Sequence, residues 1–364
     1  MRDSDLIISA SYKTDIPTFY GEWFMNRLRA GECKMVNPYG RQEYTINLRR
    51  EEHDGREGVD GIVFWTKNIG PLVKHLPEIA ERGYPFVVQH TINGYPRELE
   101  ARVIDYARTV ECVRQVADEF GQLKPSAPGE PYVPRVIWRY DPIVFTSLTP
   151  PDWHKRNFAR LAKALEGVTN EVVISFAQIY KKTRRNMDAA AVASGFTWNM
   201  HERLAYPKDD SSSTYLALLL FMAGIAATHG MKLKVCAQER FLVPGIIEEA
   251  HCIDAAWFGQ TYKKHGNRDE CACSASRDIG AYDTCPHGCV YCYAVQNREL
   301  ALARHKRHDP NGDFLFEPEF PTIQVERRPK PAAKEKAPKK RTRNGKKKPV
   351  AASAAILSQP ALFT

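Results

Sequence analysis

The sharpest chemistry in the sequence lies in YDTCPHGCVYCYA, where Cys285, Cys289 and Cys292 follow a C-x3-C-x2-C spacing. Three thiolates on so short a loop can reach three corners of an iron–sulfur cubane. They fit that better than a zinc tetrahedron, which usually takes two C-x2-C pairs. His287, inside the loop, reads as a turn or supporting residue rather than a ligand. Four more cysteines, Cys236, Cys252, Cys271 and Cys273, precede the loop. They are the number that a second cluster or a zinc ion needs. Alternatively, Cys271 or Cys273 closes the first cluster as a fourth ligand, or all four are buried free thiols. Cys33 and Cys112 lie apart and read as small buried hydrophobes.

Context decides between metal and disulfides. The chain has no apolar run of about eighteen residues, and MRDSDLIISASYKTD lacks the apolar core and cleavage site of a secretory signal. A cytoplasmic protein with reduced thiols is therefore expected, with no membrane contact, and clustered cysteines there point to metal.

The elements that must position this chemistry are short apolar runs alternating with amphipathic stretches. Strands are expected at 6–11, 61–66, 85–91, 135–140, 171–176, 232–237 and weakly at 278–282, with a further weak one within 34–49. Their unbroken β-branched and apolar character suits strands buried on both faces. Helical stretches follow most of them, including PPDWHKRNFARLAKALEG, whose prolines suit a first turn. Residues 178–230 read as helices only. This rhythm predicts parallel βαβ units, and seven or eight strands favour an α/β, TIM-like (β/α) barrel over residues 1–310. A doubly wound sheet is the alternative, but no G-x-G-x-x-G follows the first strand.

Barrel chemistry sits at the C-terminal strand ends. Those ends offer Ser11, Lys13, Thr14 and Asp15; Thr66, Lys67 and Asn68; Gln89 and His90; Arg139 and Asp141; Gln178 and Tyr180; Gln238 and Glu239. Strand ends are also polar because they meet solvent or cap helices, as Asp15 would before Ile-Pro. Lys67, Arg139 and Asp141 are the candidate catalytic residues. Arg139 and Asp141, on alternate positions, are expected to form an ion pair, structural or substrate-binding.

Of 364 residues, 43% are hydrophobic and 26% charged, which excludes a wholly disordered or collagen-like chain. The net charge of +9 is concentrated near the end. Residues 327–348 hold twelve Lys/Arg and one Glu, a local +11 that leaves the rest near neutral. Residues 311–364 therefore read as a disordered tail rich in Lys, Arg, Pro and Ala, unable to offset its ordering entropy. Such a tail associates with DNA or RNA through phosphates, or merely solubilises the chain. The final ILSQPALFT places Gln359, Leu362 and Phe363 as Q-x-x-L-F, which resembles the peptide by which bacterial repair and replication proteins dock on the sliding clamp. An accessible end suits docking.

CPHGCVYC resembles the cluster motif of the radical S-adenosylmethionine (radical SAM) enzymes, including an aromatic residue, Tyr291, before the third cysteine. The resemblance implies that Cys285, Cys289 and Cys292 hold a [4Fe-4S] cluster whose fourth iron binds the amino and carboxylate groups of SAM. Tyr291 would pack near the adenine. Over roughly residues 6–295 the chain also resembles a bacterial family, the domain-of-unknown-function family numbered eighteen forty-eight, described as carrying a radical-SAM-like cysteine cluster at its C-terminal end. The stretches that carry this are ISASYKTDIPTFYGEWFMNRLRAG, DGIVFWTKN, VIWRYDPI, ISFAQIYKKTRRN and DIGAYDTCPHGCVYCYA.

Radical SAM enzymes carry the motif after the first strand, whereas here it comes last. In a barrel the first and last strands are neighbours, so DIGAY beside LIISAS would restore the radical SAM order by circular permutation. No glycine-rich SAM-binding strand end is evident. The leading expectation is an iron–sulfur enzyme of radical SAM type acting on DNA or nucleotides in repair or modification. It would use one cluster or two, SAM, and a reductase or other electron donor. The alternatives are a barrel hydrolase or nuclease with a structural metal cluster, and a non-enzymatic metal-cluster adaptor for DNA or the clamp. The absence of Walker, H-E-x-x-H and G-x-S-x-G motifs weakens the hydrolase.

Overall fold

A computed structural model describes residues 7–37, 40–123, 132–206, 214–262, 264 and 270–324. The basic segment 327–348 and the docking-peptide residues Gln359, Leu362 and Phe363 lie outside the described residues.

Eight parallel strands form the main sheet: β1 (Ile7–Ala10), β2 (Gly61–Thr66), β3 (Phe86–Thr91), β4 (Val136–Ile143), β5 (Glu171–Phe176), β6 (Lys232–Val235), β7 (Glu248–Glu249) and β8 (Arg277–Asp278). They lie side by side in chain order from β1 to β7, and β8 pairs with the free side of β1 through Ile8–Arg277 and Ser9–Asp278. The last strand therefore adjoins the first, as the permuted order requires. The strand is shorter than DIGAY, and beyond its end Gly280 lies so close to the turn after β1 that any Cβ would stand 2.0 Å from Ser11 Oγ. Among the described residues β7 and β8 are the sheet's two edges, so the hydrogen-bonded ring expected from the strand count is not closed. Both edge strands are only two residues long, too short for a ladder to continue.

Both faces of the strands are buried. Ile8, Ile62, Phe64, Phe86, Val88, Trp138 and Ile174 face the helices, whereas Ile7, Val63, Val87, Ile137 and Val173 alternate onto the other face. That second face is covered not by α-helices but by the chain around Cys236, Ala250, Cys252, Ala255 and Cys273, including the short 3-10 helix Ala255–Phe258. A near-continuous apolar strand is stable only if something covers each side.

Local chemistry sets the helices. Asp15 caps Ile16–Phe19 by accepting from Thr18 N at 2.9 Å, as its place before Ile-Pro suggested. Asp105 caps Tyr106–Phe120, and Pro151 opens Pro151–Ala164. The stretch 69–83 breaks into Gly70–Val73 and Leu76–Glu81, with Pro77 in the first turn of the second piece. The weak strand within 34–49 is an antiparallel pair, Glu32–Val36 with Gln42–Asn47. Residues 311–324 also belong to the described fold. Trp23 Nε1 donates to Gly312 O at 3.0 Å, Arg27 pairs with Asp313, and Ile323–Gln324 pairs with Gln42–Glu43.

Trp138 ties the helical layer to the sheet. It is fully buried, stacks on Phe158 at 4.9 Å and donates to Ile92 O at 3.0 Å. Trp138→Ala should cost about 3–5 kcal/mol of unfolding free energy in urea titrations. A loss below about 1 kcal/mol would contradict this packing.

Candidate active site

The cysteine loop leaves β8 and lies over the C-terminal ends of β1 to β3. Asp278, at the end of β8, gathers the start of the site. Its carboxylate accepts from Ser9 Oγ, Ser11 Oγ, Tyr12 N and Gly280 N at 2.7–3.0 Å, with Lys13 Nζ at 3.4 Å. The loop is then held from three sides. Tyr20 OH donates to Thr284 O, Arg102 N to His287 O, and Val290 N to Leu99 O. Gly288, at φ +75°, supplies the left-handed turn between Cys285 and Cys289.

His287 Nε2 meets Asp15 Oδ2 at 2.7 Å, and the same carboxylate accepts from Lys67 N and Thr66 Oγ1, each at 2.8 Å. Burial pushes the Asp15 pKa up, but the His287 hydrogen bond and charge, with the Lys67 amide and the Thr18 side chain, hold it below the ordinary aspartate value. Asp15 thus fastens the cysteine loop to β1 and β2.

Cys285, Cys289 and Cys292 are electrostatic neighbours, and burial raises the pKa of all three thiols. Beside Cys289, Lys67 Nζ donates to Glu100 Oε1 at 2.8 Å and to Tyr291 OH at 3.2 Å. Tyr291 OH also donates to Glu100, which accepts from Asn93 Nδ2 at 3.4 Å. Burial works against the Lys67 ammonium, but Glu100, Cys289 and Asp141 more than offset it, and its pKa lies above the ordinary lysine value. Glu100, 3% exposed, carries no motif or strand-end position that reveals it in the sequence. Only the fold brings it under Tyr291.

Arg139 and Asp141 pair as expected, Nε to Oδ2 at 3.0 Å, and Ser175 donates to the other carboxylate oxygen. Arg139 Nη1 reaches in the opposite direction, to Gln89 Oε1 at 3.1 Å and Cys252 Sγ at 3.0 Å. The pair therefore lies between the two cysteine groups. In the second group Cys252 and Cys236 sulfurs are 3.2 Å apart, and Cys273 contacts Cys252 and Cys271. The Cys236 hydrogen bond lowers the Cys252 pKa, but the one with Cys273 and burial push it up to about 12. Cys271 and Cys273 thus stand with Cys252. Among the described residues no group of three or more His, Cys, Asp or Glu side chains is placed so that it could hold a metal ion as it stands.

Other strand-end candidates serve the scaffold. His90, which burial holds neutral with a pKa of about 3, accepts from Ile69 N. Gln238 bonds Phe176 N and O, whereas Tyr180 and Glu239 are exposed. Cys33 is buried in the main core and Cys112 packs against it. A cavity of about 370 Å³ opens beside the site, lined by Tyr95, Trp153, Arg156 and Arg160. A second one, of about 80 Å³, reaches Lys67 and Glu100, and both are lined by Gly94 and Tyr95. Tyr291 packs edge-on to Tyr95 at 5.8 Å, and Tyr95 stacks on Trp153 at 5.7 Å.

Asp15 generates a pH-dependent expectation. Its folded pKa is below the unfolded value of about 3.9, so its contribution is complete above about pH 4 and is lost as pH falls through the folded pKa. Asp15→Asn should lower neutral-pH stability by about 1–3 kcal/mol and flatten the acid limb of the stability curve. An acid limb as steep as wild type would refute the anchoring role.

Residues 7–294 match the model of a protein family described as a domain of unknown function, DUF1848. No curated protein matches the chain. With more than half of the chain covered by that match, the protein belongs to the DUF1848 family.

Proposed function

We propose that the protein is an iron–sulfur enzyme of radical SAM type acting on DNA or nucleotides, in repair or modification. The observation that carries this reading is the meeting of Cys285, Cys289 and Cys292 with Lys67, Glu100 and Tyr291 above the parallel strand ends. The donor set fits the group: three thiols on one anchored loop leave one iron of a [4Fe-4S] cluster without a protein ligand. With SAM on that iron, the bound cluster would supply reductive cleavage to a 5′-deoxyadenosyl radical, electrons coming from a reductase or other donor. The adjacency of β8 and β1 supports reading the sheet as a circularly permuted TIM-like barrel, with chemistry at its usual end.

The chain's own residues have distinct tasks. Asp15 and His287 fix the loop, so that the thiols keep their spacing. Tyr291, oriented by Glu100 through its hydroxyl, would offer its ring to the adenine of bound SAM. Lys67 supplies a buried positive charge beside Cys289, which favours its thiolate and any anionic group bound there. Asp141, held by Arg139 and Ser175, keeps a carboxylate on the same side. The cavity walls of Tyr95, Trp153, Arg156 and Arg160 combine rings with cations, a chemistry that suits a base and its phosphate.

Partners follow from the tail. Residues 327–348 would hold DNA through phosphates, and 359–363 would dock on the bacterial sliding clamp. The reduced thiols imply a cytoplasmic setting, and no described helix is long and apolar enough to cross a membrane.

Anaerobically purified protein, reduced in the presence of SAM, should contain iron and sulfide and release 5′-deoxyadenosine. Cys289→Ala should abolish that release. A chain that holds zinc without iron, or whose cluster never cleaves SAM, would sink the proposal. For the tail, binding to purified clamp should disappear in the Leu362→Ala, Phe363→Ala double variant. Unchanged or absent binding would remove the clamp from the scheme.

A further inference from the structure

The second group of cysteines stands apart from the candidate active site. Cys236 follows β6, Cys252 follows β7, and Cys271 and Cys273 precede β8, so four sulfurs separated by up to 37 residues meet beneath the sheet's second face. They touch in series. Cys236 and Cys252 sulfurs are 3.2 Å apart, Cys273 hydrogen-bonds Cys252, and Cys271 hydrogen-bonds Cys273. Cys236, Cys252 and Cys273 are at most 5% exposed, among Ile7, Val63, Val87, Ile137 and Val173.

Simple packing does not account for this arrangement. Besides its pair with Asp141 and its bond to Gln89, the buried Arg139 guanidinium aims an N–H at Cys252 Sγ from 3.0 Å, and a neutral thiol is a weak acceptor for such a donor. A metal-bound thiolate is a strong one. The 3.2 Å between the Cys236 and Cys252 sulfurs favours one kind of centre. Four sulfurs bound to one tetrahedral ion at about 2.3 Å lie roughly 3.8 Å from one another, whereas cubane ligands stand farther apart.

We infer that Cys236, Cys252, Cys271 and Cys273 form a second metal site, a closed tetrathiolate centre for one tetrahedral ion of the zinc type. Arg139 supports it from outside the ligand set. With all four positions supplied by the chain, the centre leaves no place for substrate. It fastens the ends of β6, β7 and β8 across the face that the α-helices leave uncovered.

The inference stands independently of the cluster chemistry proposed for the other loop, and its test separates the two. The full-length Cys285→Ala, Cys289→Ala, Cys292→Ala variant should retain about one zinc per chain by native mass spectrometry and elemental analysis. Adding Cys252→Ser should remove it. The same loss should appear when Cys252→Ser alone is compared with wild type, a measurement that does not depend on the triple variant folding. A folded triple variant without metal, one holding iron and sulfide instead, a Cys236–Cys252 disulfide in the anaerobic chain, or unchanged zinc in Cys252→Ser would each overturn the inference.

Discussion

A parallel sheet has to be covered on both faces, and that constraint organises this protein. Helices cover one face in the usual way. The other receives the chain between β6 and β8, whose described residues hold only β7 and two short 3-10 turns, and which carries four cysteines. Because that chain must cross from the β6–β7 edge to the β1 edge, it delivers β8 beside β1. The loop that follows β8 is thereby set over the ends of the central strands. The position of the candidate site is thus a consequence of how the second face is filled.

Above the apolar layer, buried charge is handled by pairing. Asp278 collects hydroxyl and amide donors from the turn after β1, Asp15 joins His287 to the start of the Lys67 turn, and Lys67 meets Glu100. Arg139 spans from Asp141 to Cys252. Removing one member of such a pair leaves an uncompensated charge in a low-dielectric site. The network therefore holds the site in one arrangement, and it does so mainly through side chains rather than regular structure.

Much of the scaffold was legible in the sequence because it obeys local rules. Six strands read as apolar runs, and the capping roles of Asp15 and the prolines at helix starts follow from residue type. β7 escaped notice, since Glu248–Glu249 has no apolar pattern and pairs only because β6 offers an edge. The 34–49 region hid a hairpin within one weak strand. Open edges replaced the expected ring, a difference that depends on how far two-residue strands can extend a ladder.

The sequence alone determined which residues offer thiol donors suited to a metal, since the cysteines and their C-x3-C-x2-C spacing are fixed by covalent connectivity. It also determined where the basic charge is concentrated. The tertiary structure decided the partnerships: Cys236 with Cys252, Cys273 with Cys252, Glu100 beneath Tyr291, and His287 on Asp15. Each joins segments whose separation in the chain has no periodicity, and only the folding of the intervening strands brings their side chains into range. Spacing fixes a loop, but burial and pairing across the fold fix a site.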